Sequence, residues 1–232
     1  MSLKKYSYPV MICLIALAAW GCNKSGDAAP VIGPQSRLNV INAVTDIRAI
    51  DFYLNGTRQN TNSAIYLYNS SGYLNVLTGE QQYQFKSDTD RTVLADIKLN
   101  PAKKDSSYTL VAAGQQSNNS FSTIFLGDVF VTNSNAKNAL VRFVQASPGT
   151  PSYDIFVGDT LSFKNKTFKD YTGFQGVGAG KKKIKVMLAG TTTPILTDSV
   201  IVQAGSYYTL LTRGSRTGSG KNAFGVSITL SR

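Results

Sequence analysis

Lys181-Lys182-Lys183-Ile184-Lys185-Val186 follows Gly180 and, from Lys183 onward, alternates charged with branched apolar residues. A period of two puts Ile184 and Val186 on one face of a strand and Lys183 and Lys185 on the other. The same pattern stands earlier in the chain, again after a glycine: Gly79, then Glu80-Gln81-Gln82-Tyr83-Gln84-Phe85. There Tyr83 and Phe85 take the inward positions, and glutamines replace the outward lysines. The inward pattern is kept while the outward chemistry differs, which is how two copies of one fold diverge.

Working outward from this pair, further matches appear. Ser71-Gly72-Tyr73 recurs as Thr172-Gly173-Phe174, and Ile50-Asp51-Phe52 as Tyr153-Asp154-Ile155. Tyr108-Thr109-Leu110 recurs as Tyr208-Thr209-Leu210, and each copy then reaches a glycine, Gly114 and Gly214. The offsets are 103, 101 and 100 residues, a domain-sized period. Strands rich in Val, Ile, Tyr, Phe and Thr are expected at 38–43, 51–54, 82–86, 93–99 and 108–112. Others are expected at 139–144, 153–157, 182–188, 199–202, 207–212 and 224–230. Asn55-Gly56 is a hairpin signal, and no window after residue 22 sustains a helical period. These features predict an all-β chain of two tandem immunoglobulin-like sandwiches, at residues 37–133 and 138–232, joined through 133–138.

Val141-Arg142-Phe143-Val144-Gln145-Ala146-Ser147-Pro148, followed by Tyr153-Asp154-Ile155-Phe156-Val157, resembles the start of a bacterial module catalogued as domain of unknown function 4397. Gln145 stands where that family often has His, and Gly158-Asp159 reverses its frequent Asp-Gly. The Gly180 turn and Ala204-Gly205-Ser206-Tyr207-Tyr208-Thr209 are similar as well. The first copy is degenerate: it keeps Asp51 and Asn55-Gly56 but lacks the Ser-Pro turn. The resemblance implies a sandwich fold found in tandem on exported, often lipid-anchored proteins, and it implies no activity.

The N-terminus gives an address. Lys4 and Lys5 precede an apolar run over residues 10–20, about half the ~20 residues that span a bilayer as a helix. This length is that of a secretory signal. The run ends in Ala18-Ala19-Trp20-Gly21-Cys22, which resembles a lipobox at Gly21 and Cys22, with Trp20 bulkier than usual. The expectation is a signal peptide over 1–21 and lipidation of Cys22. The only other cysteine, Cys13, lies in the cleaved segment, so the folded part has no disulfide or thiolate metal site. Acyl chains at ~0.8 kcal/mol per buried CH₂ would hold such a protein to a membrane. Asn23, rather than Asp, after the cysteine favours the outer membrane. Residues 22–36 read as a flexible tether, rich in Gly, Ala, Ser and Pro.

Composition narrows the chemistry. There is no histidine and a single glutamate, Glu80, so a histidine base, a Ser-His-Asp triad and histidine metal sites are excluded. No cofactor motif is present, and the chain is not expected to be an enzyme. Asp51 and Asp154 occupy equivalent strand positions, and each is expected to accept backbone N–H groups of a nearby turn. An aspartate-based hydrolase is the remote alternative. Asp88-Thr89-Asp90 reads as a solvated loop.

Without Lys4 and Lys5 the formal charge of +11 becomes +9. Lys181, Lys183 and Lys185 form a candidate patch for an anionic ligand, with Lys164, Lys166 and Lys169 as further contributors. A lysine-rich strand also serves to protect a sheet edge. Tyr66 and Tyr68 form a candidate aromatic platform, placed by alternation on one face of a strand. The expected function is a non-catalytic envelope module that binds a polymer, such as an anionic glycan, or an envelope protein. A passive adhesive spacer is the alternative, and nucleic acid is not an expected partner.

Overall fold

The computed structural model describes residues 32–101, 103–149 and 151–232. The export signal over 1–21 and Cys22 lie outside the described residues. Of the tether read at 22–36, Gln35 and Ser36 already belong to the first strand. Ser36 is buried, and its hydroxyl donates to the Lys103 carbonyl at 2.8 Å.

The described chain is all-β. The first half forms β1 (Gln35–Val44), β2 (Ala49–Leu54), β3 (Thr57–Arg58), β4 (Ile65–Tyr66), β5 (Ser70–Leu77), β6 (Gln81–Ser87), β7 (Val93–Leu99), β8 (Ser107–Gly114) and β9 (Ser122–Gly127). The second half forms β10 (Asn138–Gln145), β11 (Tyr153–Val157), β12 (Thr160–Lys166), β13 (Gln175–Gly178), β14 (Gly180–Leu188), β15 (Pro194–Val202), β16 (Tyr207–Arg213) and β17 (Gly225–Leu230). Each half is a two-sheet sandwich, and the two share one topology. In the first, β5-β1-β8-β9 faces β3-β2-β6-β7, with β4 attached to β2. In the second, β13-β10-β16-β17 faces β12-β11-β14-β15. The opening strand of each half runs parallel to its penultimate strand, β1 to β8 and β10 to β16, and every other pairing is antiparallel. This order differs from the ABED/CFG arrangement of antibody domains.

Every strand range expected from the sequence falls within an observed strand except 224–230, which begins one residue before β17, while β3, β4, β5, β9, β12 and β13 had no range of their own. Five of these six lie at sheet edges, and β4 pairs only with β2. An edge strand bonds to a single neighbour and needs less apolar patterning, as Gln175-Gly176-Val177-Gly178 illustrates.

Each sandwich has its own core. Leu38, Val40, Phe52, Tyr83, Phe85 and Leu110 fill the first, and Val141, Phe143, Ile155, Phe163, Ile184 and Val186 the second. A third apolar cluster joins the two halves. Ile41, Ala43, Val111, Ala113, Ile124 and Leu126 of the first pack with Val144, Ala146 and Leu211 of the second. The β1/β8 and β10/β16 sheets are therefore covered on both faces. This explains why 108–113 and 207–212 lack the polar alternation seen in β6 and β14.

The bulkiest fully buried side chain is a cation, Arg142, at the same interface. Its Nη1 donates to Asp128 at 2.6 Å, with both side chains at or below 2% exposure. Its Nη2 donates to Thr109 Oγ1 at 2.7 Å and its Nε to Thr209 Oγ1 at 2.9 Å. Tyr73 and Thr109 donate to the second Asp128 oxygen. Burial first, and then the Asp128 charge, pushes the Tyr73 phenol well above its ordinary pKa, so it stays a donor. The guanidinium lies 4.8 Å from the Phe174 ring, which stacks on Phe130 at 5.7 Å. Phe130 comes from the strand-free segment between β9 and β10, which is wedged into the interface ahead of the stretch expected as a link.

Arg142→Ala leaves Asp128 buried without a counter-charge, and the expected loss in urea unfolding is about 3–5 kcal/mol. Arg142→Met combined with Asp128→Leu is expected to exceed either single variant in stability. Both halves should unfold in one transition, because the contact between them is apolar and extensive.

Candidate functional site: a cleft between the two sandwiches

The β1–β2 loop, the segment after β4 and the β16–β17 loop meet around a cleft of about 630 Å³. This lies within the range of about 300–1,000 Å³ usual for small-ligand sites. The first sandwich supplies Thr45, Asp46, Ile47, Arg48, Tyr66, Leu67 and Tyr68, and the second Arg213, Gly220, Lys221 and Asn222.

Both tyrosines of the expected platform are here, but not by strand alternation. β4 ends at Tyr66, and Tyr68 has a left-handed backbone, φ 64°. Hydrogen bonds from Leu67 N to Arg48 O at 2.8 Å and Tyr68 N to Asn42 O at 2.6 Å hold the turn. Tyr68 hydroxyl reaches across the interface and donates to the Lys221 carbonyl at 3.0 Å. Tyr66 is 46% exposed, so part of its ring is open to a ligand.

Each ring carries a guanidinium. Arg48 lies 5.4 Å from the Tyr66 centroid and is also paired with Asp88. Arg213 lies 4.6 Å from the Tyr68 centroid, its Nε donating to the Val226 carbonyl at 3.2 Å. Burial raises the Tyr68 pKa and the Arg213 charge opposes it. A methyl group on Gly225 would meet the Arg213 guanidinium at 3.0 Å, so the glycine makes room for it. Asp46 is the sole carboxylate among the lining residues. Burial works against its charge, yet the backbone N–H groups of Gln116 (2.9 Å) and Ser117 (2.8 Å) outweigh it and hold its pKa below the ordinary value.

The sequence model of a family described as a domain of unknown function (DUF4397) matches residues 36–151 and 139–224. The chain belongs to this family. No curated protein matches it. In this DUF4397 protein the two matches correspond to the two sandwiches, the first running on into β10.

The basic patch is less free than its sequence implies. Lys181, Lys183 and Lys185 do share the outward face of β14, opposite the buried Ile184 and Val186. However, β14 is an interior strand between β11 and β15, so its lysines do not guard an edge. Lys185 donates to Asp159 at 2.9 Å. That bond foremost, together with the charges of Lys185 and Lys183, lowers the Asp159 pKa. Lys164 and Lys166 lie on β12, separated from β14 by β11. Lys169 sits beyond β12 in a left-handed conformation.

The paired aspartates are occupied structurally. Asp154 accepts backbone N–H groups from Asn165 (2.7 Å) and Gly190 (3.1 Å), as expected. Asp51 differs, holding side chains instead: Asn60 at 3.1 Å, Arg58 at 2.6 Å and Arg91. Among the described residues no three metal-ligating side chains gather.

Arg48, Arg213 and Lys221 were not singled out in the sequence. The one signal for Arg213 is the repeat, where Ala113-Gly114 faces Arg213-Gly214.

Lys185→Ala should bring the Asp159 carboxyl back toward its ordinary pKa in a carboxyl ¹³C NMR titration. The depressed pKa means that this pair contributes above the ordinary carboxylate range and is lost as pH falls through the lowered value.

Proposed function

We propose that this protein is a non-catalytic lipoprotein of the cell envelope, anchored through Cys22, that binds an envelope or extracellular polymer in the cleft between its sandwiches. The cleft carries the reading. Two halves contribute to one cavity with partly open tyrosine rings and an excess of cations. Tyrosine rings and guanidinium groups suit the faces and polar edges of a glycan.

Further support comes from the packing. A passive spacer gains reach from modules set end to end, whereas here they lie sheet against sheet. The aspartates that an acid–base mechanism would use are held by structural partners. The N-terminal features, from Lys4 and Lys5 to Gly21-Cys22, favour export and lipidation, with the outer membrane as destination.

Two measurements test this. Labelled palmitate should enter the wild type and not Cys22→Ser, and lipid-free mature protein from the wild type would remove the anchor. The detergent-solubilised lipoprotein should be retained on purified surface polysaccharide. Tyr66→Ala should weaken that retention about tenfold at an unchanged urea midpoint, since aromatic contacts of this kind are worth about 1 kcal/mol or more. Retention lost in Lys183→Glu and kept in Tyr66→Ala would move the site to the outer face of β14.

A further inference from the structure

Resting on that reading, we infer that the cleft takes a sugar bearing a carboxylate, with the carboxylate at Arg213 and Lys221 and the ring against Tyr66. The two copies differ at one register position beside the cleft. Ala113 pairs with Ser122 in the first sandwich, and Arg213 pairs with Gly225 in the second. A large cation replaces a methyl group, and its cross-strand partner shrinks to a glycine that leaves space for the guanidinium. The fold does not need this exchange, since the first copy makes the same strands without it.

Tyr68 differs in a matching way. Asn69 N bonds to Tyr66 O, and Asp170 N bonds to Thr167 O, so Tyr68 and Lys169 are equivalent. Both have left-handed backbones, at φ 64° and 76°. The conformation belongs to the fold, while the aromatic ring belongs to one copy. The Arg213–Tyr68 pair therefore exists on one side only.

The charge balance identifies the ligand's sign. Of the cations that line the cleft, Arg48 has a carboxylate partner, Asp88. Among the described residues none lies within salt-bridge distance of Arg213 or Lys221, and both Asp46 oxygens accept loop N–H groups. Arg213 is only partly exposed, so an arriving anion gains from a cation already stripped of some water. A uronic acid carries its carboxylate directly on the pyranose ring. Anion and apolar ring face can then meet guanidinium and tyrosine in one layer. A phosphodiester lies outside its sugar ring on a rotatable link, so its charge is not held in a fixed relation to the ring face.

The test is binding of the solubilised lipoprotein to oligogalacturonate, to the same oligosaccharide after carboxyl reduction, and to poly(glycerol phosphate). Oligogalacturonate should bind at least about tenfold more tightly than its reduced form, the difference expected of one charge-assisted contact. Arg213→Ala should abolish that preference, and Lys221→Ala, which keeps the carbonyl used by Tyr68, should reduce it. Gly225→Ala, which crowds the guanidinium, should fall between Arg213→Ala and wild type. Equal affinity for reduced and unreduced oligosaccharide, with Tyr66→Ala weakening both, would overturn the inference and leave the polymer reading standing. Preference for poly(glycerol phosphate) would overturn it in favour of phosphate. No binding of any polymer, with no effect of Tyr66→Ala on surface polysaccharide, would remove both.

Discussion

The buried ion pair between Arg142 and Asp128 fixes how the two sandwiches meet. A guanidinium at 2% exposure is tolerated only where its donors and charge are answered, and here Asp128, Thr109 and Thr209 answer them. Thr109 and Asp128 come from the first sandwich, Thr209 from the second. Sliding one sheet over the other would leave at least one charge uncompensated in a dry interface, whereas the apolar residues around it tolerate small shifts. The ion pair sets the register, and the apolar cluster supplies the area. The cleft depends on that register because Tyr68 bonds to Lys221 across the same boundary.

The interface also accounts for the residue pattern of the strands that meet there. A strand in the middle of a sheet with both faces covered has no solvent side, and its sequence loses alternation. β1, β8, β10 and β16 are of this kind, and they carry the two parallel pairings. Their outer faces hold small or branched residues such as Ile41, Ala43, Val111 and Ala113, which let the sheets approach. Sheets containing β6 and β14 keep a wet face and so keep the clear period of two.

This difference explains what was legible in the sequence. Alternation at Tyr83/Phe85 and Ile184/Val186 fixed the inward face of the outer sheets, and the repeat fixed the count of modules. The pairing of the modules was not legible, although its pieces were visible. Tyr73 and Phe174 were matched as repeat equivalents, and both prove to lie at the interface, one on Asp128 and one beneath Arg142. Periodicity assigns a side chain to a face without saying what covers that face. The same limit made the lysines of β14 look like a free patch, since Asp159 lies on the neighbouring hairpin. Tyr66 and Tyr68 were found by residue type, but the two cations beside Tyr68, Arg213 at the end of β16 and Lys221 in the loop after it, arrive from the other half, more than a hundred residues away.

Divergence between the copies is then the most informative signal. Arg142 pairs with Thr209, and at the same register Asn39 pairs with Thr109. Among the described residues the buried side-chain amide of Asn39 has no hydrogen-bond partner, while Arg142 has four contacts. Thr109 and Thr209 are unchanged, and both serve the single arginine. One sandwich thus keeps a neutral residue where the other holds the charge that binds them. Arg213 repeats this logic at the end of the interface, opposite Ala113. Symmetric copies would place two arginines or none at each of these positions, with repulsion in the first case and no anion site in the second. Asymmetry at two register positions lets a duplicated module act as one body with one basic cleft.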